Sequence, residues 1–434
     1  TNTTGDNNTA LGRLALKSNT TACNNTAVGF CSLFTNTTGA SNTAVGRFSM
    51  IANTTGASNT ALGTNALDAN TTGGDNVAVG VSALSANTTG VNNTAVGHRT
   101  LISATTANNN TALGRDAACS LTTGLQNVAV GNCALSTNTE AHNNVAVGFC
   151  SQKSSTTGTL NVSAGSFTLE DNTEGTENVA IGYRASCDNT TAGQNVAVGV
   201  CALAQTTTGC KNTAIGTKAL VVNTTGQCNV AVGRTALDAN TTGECNTALG
   251  NSSLTENTTA ANNTAVGFEA LKDNTTGTPN TAVGRQALQN NTTGNANTAV
   301  GHNALNTVTT GDNNTAVGGS ALFNNTAGTN TAIGHEAAVS NTSGTDIVAM
   351  GRQSMCKNTS GANNVGIGNN SLFHGTTGSN NTGVGISSLF NMSTGDCNTG
   401  IGLKGGCNTT TGDNNASFWD EAQPSSFSAS HQIT

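Results

Sequence analysis

Charged side chains are scarce in this sequence: 15 Lys and Arg and 22 Asp and Glu in 434 residues, 9% together, for a net charge of −7. The cations are scattered singly, which excludes the basic stripe of a nucleic-acid binder. Aromatic residues make up 3%, with one Trp (Trp419) and one Tyr (Tyr183), so an ordinary globular core is not on offer. Proline occurs twice, at Pro279 and Pro424. A chain this poor in large apolar residues would normally be disordered, but disorder brings high charge or many prolines, and neither is present. No apolar run approaches the roughly 20 residues of a membrane helix, so no membrane insertion is expected. The first residue is Thr1 and no signal peptide is visible, so the chain reads as a processed product or an excerpt of something longer. What remains abundant is Thr, Asn, Ala and Gly, the last numbering 53, and that bias directs attention to repeats.

The repeat is read from the glycine of Asn-Thr-Ala-Val-Gly. It falls at Gly12, Gly29, Gly46 and every 17 residues to Gly318. One residue is then missing beside Thr329, and the spacing of 17 resumes from Gly334 to Gly402, giving 24 anchors. Strict spacing over this length is the signature of a solenoid. Two glycines per unit and no 3.6-residue apolar face exclude helical repeats. Thr and Val favour strands, Gly and Asn turns. The expected fold is all-β, a parallel β-solenoid or β-roll of about 24 coils with 17 residues each. It should occupy residues 1–412, with 413–434 as a C-terminal cap or tail, because the anchor expected at position 419 is Trp419.

Column by column, the residue before the anchor is Val, Ile, Leu or Met except at Ala164, and the residue two earlier is only Thr or Val. Both lie on one face of a strand. Thr26, Thr43, Val28 and Val45 are therefore expected inside the coil, joined by Leu33 and Leu67 from a second strand. The residue between them is Ala in 20 of 24 coils, the exceptions being Ser163, Gly366, Gly383 and Gly400. Ala27, Ala44, Ala61, Ala78 and Ala95 would then form a smooth strip on the outer face. A strip that admits nothing larger than Ser suggests an oligomer interface, most simply a homotrimer. Asn opens the motif in 23 of 24 coils and Thr follows the anchor by eight residues in 23; both columns suit hydrogen-bonded ladders.

The recurring Asn25-Thr26-Ala27-Val28-Gly29 resembles the head repeats of trimeric autotransporter adhesins (YadA-like), and also the shaft repeats of viral and phage tail fibres. The likeness covers residues 1–412. An added Asn-Thr-Thr-Gly segment, as at Asn36 to Gly39, makes this repeat longer than the adhesin type. The resemblance implies a left-handed β-roll, a homotrimer, and a place outside the cell, at a cell surface or on a virion.

Chemistry is thinly represented. No two adjacent coils carry His in the column after the anchor, where His98, His302 and His335 stand, which argues against a metal site. No cofactor is expected. No nucleophile–base pair, phosphate loop or paired carboxylate stands out, so the chain is not expected to be an enzyme. Cys133 and Cys150 share a column in neighbouring coils, as do Cys228 and Cys245. Either they form axial disulfides or they are free thiols. Asn-x-Thr sequons such as Asn2, Asn19 and Asn36 recur, but the Asn drifts (Ala104, Leu121, Val308, Gly375) while the Thr does not, which favours turns and ladders over glycosylation. Phe30, Phe149, Tyr183 and Phe268 follow anchors, where they form either a recognition surface for a host or cell-surface receptor or a solubilising ridge.

Three functions fit. The first is a structural or adhesive fibre shaft whose main partner is itself. The second is a self-assembling filament or surface-layer subunit. The third is an ice-binding solenoid, disfavoured because Val replaces Thr in 9 of 24 coils of the column three before the anchor.

Overall fold

The structure is a computed structural model that describes residues 2–426 and 428–434. Contacts divide the chain into two units, Thr1–Thr217 and Lys218–Thr434. Each is a parallel β-solenoid, and among the described residues there is no helix. Every coil contributes one three-residue strand ending just before its anchor glycine, such as Thr26–Val28 or Thr298–Val300. In the first unit the strands from Thr9–Leu11 to Thr213–Ile215 pair each with the next; Thr26 lies opposite Thr43 and Ala27 opposite Ala44. In the second unit the strands from Val230–Val232 to Ala416–Ser417 do the same. The column assignments therefore hold as a physical register.

The facing of the strand is the reverse of the expected one. Ala27, Ala44, Ala61, Ala78 and Ala95 are all 0% exposed within a single chain. They point into the coil and are not available as an oligomer interface. Thr26, Val28 and Val45 are half-buried and Thr43 is exposed, on the outer face. Leu33 and Leu67 lie inside, as expected, both 0% exposed. The cause is the thinness of the coil. At Gly366, a Cβ would come 2.7 Å from Ser354 Oγ and 2.9 Å from Met355 Cγ. The wall opposite the strand is so near that the interior side holds little more than a methyl group. Crowding from within, not from a neighbouring chain, restricts that column to Ala, Ser and Gly.

The expected second strand is a succession of turns. Leu33 and Cys31 have φ of 50° and 54°, a left-handed conformation that side-chain-bearing residues adopt at some cost. Hydrogen bonds to neighbouring coils stabilise it: the Leu33 N–H donates to Ser49 O at 3.0 Å and Cys31 N–H to Arg13 O at 3.1 Å. The anchor glycine is required by geometry. Gly46 has φ 135°, and a Cβ there would lie 2.5 Å from the Gly63 carbonyl oxygen, so anchors can stack only as glycine.

Two asparagine ladders tie coil to coil. Asn25 Nδ2 donates to Gly39 O at 3.0 Å, while its Oδ1 accepts the Asn42 N–H at 2.9 Å. Asn36 reaches the same Gly39 oxygen at 2.9 Å and donates to Asn19 Oδ1 at 3.0 Å. Asn25 and Asn36 are fully buried. The threonine column works differently from a side-chain ladder: Thr37 Oγ1 donates to the backbone carbonyl of Thr54 at 3.1 Å.

The residue missing near Thr329 comes from the turn. Ala327 O takes the amide hydrogen bonds of Asn314 and Asn325 that Gly39 or Ala260 accepts in other coils, and Thr315 still pairs with Thr331. The segment 413–434 also joins the stack. Thr399 pairs with Ala416, Asn415 continues the ladder at 3.0 Å from Asn398 Oδ1, and Ala416 bridges Ile433 one period later.

Ala78→Glu places an unpaired carboxylate in this thin interior and should destabilise the first unit by about 3–5 kcal/mol. Ala78→Gly, a change seen naturally at Gly383, should cost roughly 0.5–1 kcal/mol. Thermal melts followed by far-ultraviolet circular dichroism check both. Equal melting temperatures for the two variants would contradict an inward-facing Ala78.

Candidate interaction surfaces

With alanine inside, each strand presents two side chains outward, Thr or Val and then an aliphatic residue. The second of these is half-buried in some coils and exposed in others. Leu62 and Leu113 are each 47% exposed in the first unit, and Ile333 and Ile367 each 38% in the second. Because every strand pairs in register with the next, these side chains stand in a straight row within each unit. Scattered exposed hydrophobics need no explanation, but a contiguous apolar row does. Sequence reasoning missed this row because it assigned the aliphatic column to the interior.

The ridge just after the anchor is where the sequence placed it. Phe30, Phe149, Tyr183 and Phe268 are 37%, 47%, 49% and 44% exposed. They do not stand alone. Phe30 packs edge-on against Phe48 at 5.4 Å, with the Arg13 guanidinium 5.7 Å from its ring centre. Phe149, Phe167 and Tyr183 form a run of edge-on contacts at 5.2 and 6.0 Å. Arg285 lies 6.0 Å from the Phe268 ring. Each aromatic has its faces or edges engaged by a neighbouring coil, so part of the ridge is self-packing.

Cys133, Cys150, Cys228 and Cys245 are free thiols. Burial raises the Cys150 thiol above its ordinary value and the adjacent Cys133 adds to this; burial and Cys228 act likewise on Cys245. Burial pushes Cys187 up to about 12, with Asp188 contributing. A thiol held protonated is a poor nucleophile. Among the described residues, no three His, Cys, Asp or Glu side chains come together as metal ligands would, and no helix is long and apolar enough to cross a membrane. The sequon Asn19 and Asn36 amides are buried and engaged in the ladder, which leaves them inaccessible in the folded protein.

Two local features escaped the sequence reading. Gln152 replaces the interior leucine and is fully buried. Its Nε2 donates to Ser163 Oγ at 2.8 Å, so the one Ser in the alanine column answers the one Gln in the leucine column. In the second unit, a depression of about 610 Å³ is lined by His374, Asn391, Ser393 and Thr410. Comparison with known protein families and with curated proteins finds no match for this chain.

One carboxylate gives a pH signature. Burial raises the Asp238 carboxyl above its ordinary value, and Glu256 on the next coil adds repulsion; its Oδ1 has no hydrogen-bond partner. A carboxyl with a raised folded-state value stabilises the fold only while protonated, below its unfolded value of 3.8, and that contribution is lost as pH rises through the folded value. Asp238→Asn should therefore raise the melting temperature at pH 7, with the advantage over the parent shrinking as pH falls into the carboxylate range. A constant difference across pH would contradict this assignment.

Proposed function

We propose that the chain is a structural or adhesive fibre shaft, without catalysis, whose outer strand face packs against further copies of itself as a homotrimer at a cell or virion surface. The observation that carries the reading is the exposed aliphatic row. Selection for solubility alone would not keep an outward column aliphatic in coil after coil while the outward column just after the anchor varies freely. Packing between chains would, since β-branched side chains in register give a flat, regular surface.

The magnitudes are adequate. Burying a whole Val, Ile or Leu side chain is worth roughly 1.5–3 kcal/mol, so the exposed part of each is worth about 1 kcal/mol. About a dozen such residues per unit give on the order of 10 kcal/mol per unit, comparable with the roughly 4–15 kcal/mol cost of association. A shaft needs no pocket or titrating group, and its ridge of aromatics and cations is left facing outward for contact with a receptor.

Light scattering of the purified protein should give a mass of three chains. Leu62→Glu with Leu113→Glu, both on the outer row, should lower that mass toward one chain while leaving the circular dichroism spectrum unchanged. A monomeric parent protein would refute the homotrimer. One observation favours a second reading in that event. The second unit presents Thr outward in six successive coils, from Thr247 to Thr331, each beside an aliphatic residue, and regular Thr rows on a flat sheet suit ice binding. Thermal hysteresis in a freezing assay tests it directly.

A further inference from the structure

The depression in the second unit lies where the repeat departs from its own pattern. It spans three coils, those of Gly368, Gly385 and Gly402. His374 and Asn391 stand six residues after their anchors, and Ser393 and Thr410 eight after theirs. The ladder asparagine is absent from all three of these coils, replaced by Gly375, Met392 and Thr409. Ser393 is the one non-threonine in its column. A Cβ at Gly375 would lie 3.3 Å from Leu372 O and 3.7 Å from Met392 Cε, so the Met392 side chain takes up the space beside that glycine, while Ser393 Oγ keeps the column's hydrogen bond, donating to Thr410 O at 3.0 Å. Each of the substitutions at Gly375 and Ser393 removes side-chain volume. A sequence this regular breaks local rules where a site requires it.

The lining has a definite chemical character. His374 is exposed, and its ring is held edge-on by two stacked phenylalanines, at 4.8 Å from Phe373 and 5.0 Å from Phe390, which are themselves 5.3 Å apart. That fixes an aromatic surface at the depression. The exposed Asn391 offers an amide with both donor and acceptor. The wall at Ser393 and Thr410 adds hydroxyl-bearing residues. No carboxylate, Lys or Arg lines it.

We propose that this depression binds a neutral saccharide, one sugar ring lying against the His374 imidazole with its hydroxyls on the Asn391 amide. An aromatic surface matches the apolar C–H face of a pyranose, and an amide can serve two vicinal hydroxyls at once. The absence of charge selects against acidic sugars and phosphates. The site uses positions six and eight after the anchor, whereas the proposed interface uses positions one and three before it. The saccharide site therefore does not rest on the fibre reading. A monomer that binds sugar would refute the homotrimer and leave this site standing.

The test uses the full chain with glucose, galactose, mannose, N-acetylglucosamine, N-acetylgalactosamine and rhamnose as neutral probes, and sialic and glucuronic acids as acidic ones. Saturation-transfer NMR should detect at least one neutral sugar with Kd on the order of 1 mM. The triple variant Gly375→Asn, Met392→Asn, Ser393→Thr returns the first two of these coils to the repeat's own residues, and should weaken that binding at least about tenfold. Asn391→Ala should do the same without lowering the melting temperature. Three outcomes overturn the proposal: no neutral sugar bound, acidic sugars preferred, or binding undiminished in a triple variant whose circular dichroism matches the parent.

Discussion

One side chain sets the geometry of each coil. The amide of Asn25 reaches across its own turn to the carbonyl of Gly39, and its oxygen receives the backbone N–H of Asn42 above it. The first bond ties the two ends of the coil together; the second fixes where the next coil begins. Because both partners are backbone groups, the bond is indifferent to what the variable columns carry. A second amide, from Asn36, converges on the same carbonyl. A buried amide with fewer partners would cost more than it contributes. Asn is kept because its oxygen and nitrogen are both used, and Asp or Leu could supply at most one of them.

The narrow interior follows from that closure. The strand and the leucine-bearing turns are drawn together until a methyl group fills the gap between them. This explains why alanine is inward, and why glycine at Gly366, Gly383 and Gly400 is also accepted. It also accounts for the backbone. Turning a chain this tightly requires left-handed residues, and they recur at Cys31, Leu33 and Ser41, with the same spacing in the following coil at Phe48, Met50 and Ser58. No single coil could sustain that cost. The bonds between coils do, which is why such a unit is stable only when stacked.

The period, the parallel pairing, the register and the turn deletion beside Thr329 were all legible in the sequence, because each depends only on spacing. The facing of the strand was not. Periodicity of two says that Thr26 and Val28 share a face and that Ala27 has the other; it does not say which face is inside. Residue type normally settles that, since Val is more often buried than Thr or Lys. Here the rule fails because the interior is too small for Val and the exterior is apolar for another reason. The glycine dihedrals at Gly46 and Gly63 were legible as turns. The left-handed Leu33 was not, since nothing in Ser32-Leu33 marks it.

Departures from the repeat divide into two kinds, and the difference is informative. Some are answered by a neighbour. Gln152 is met by Ser163. Ala118 in the leucine column is accompanied by Leu121 in the ladder column of the same coil, and both are buried. Such pairs conserve volume or hydrogen bonding and leave the coil as it was. The change at Gly375 is answered from the next coil, where Met392 Cε lies 3.7 Å from the place a Cβ would take; the change at Ser393 is not answered in this way. Met392 is itself buried, 1% exposed, and Ser393 lacks the methyl group that threonine carries in the other coils. Compensated exchanges are what drift within a rigid framework leaves behind. The uncompensated loss at Ser393, one coil from His374 and its fixed aromatic rings, lies on the wall of the depression. In a molecule otherwise built by copying one coil, chemical individuality resides in places of that second kind.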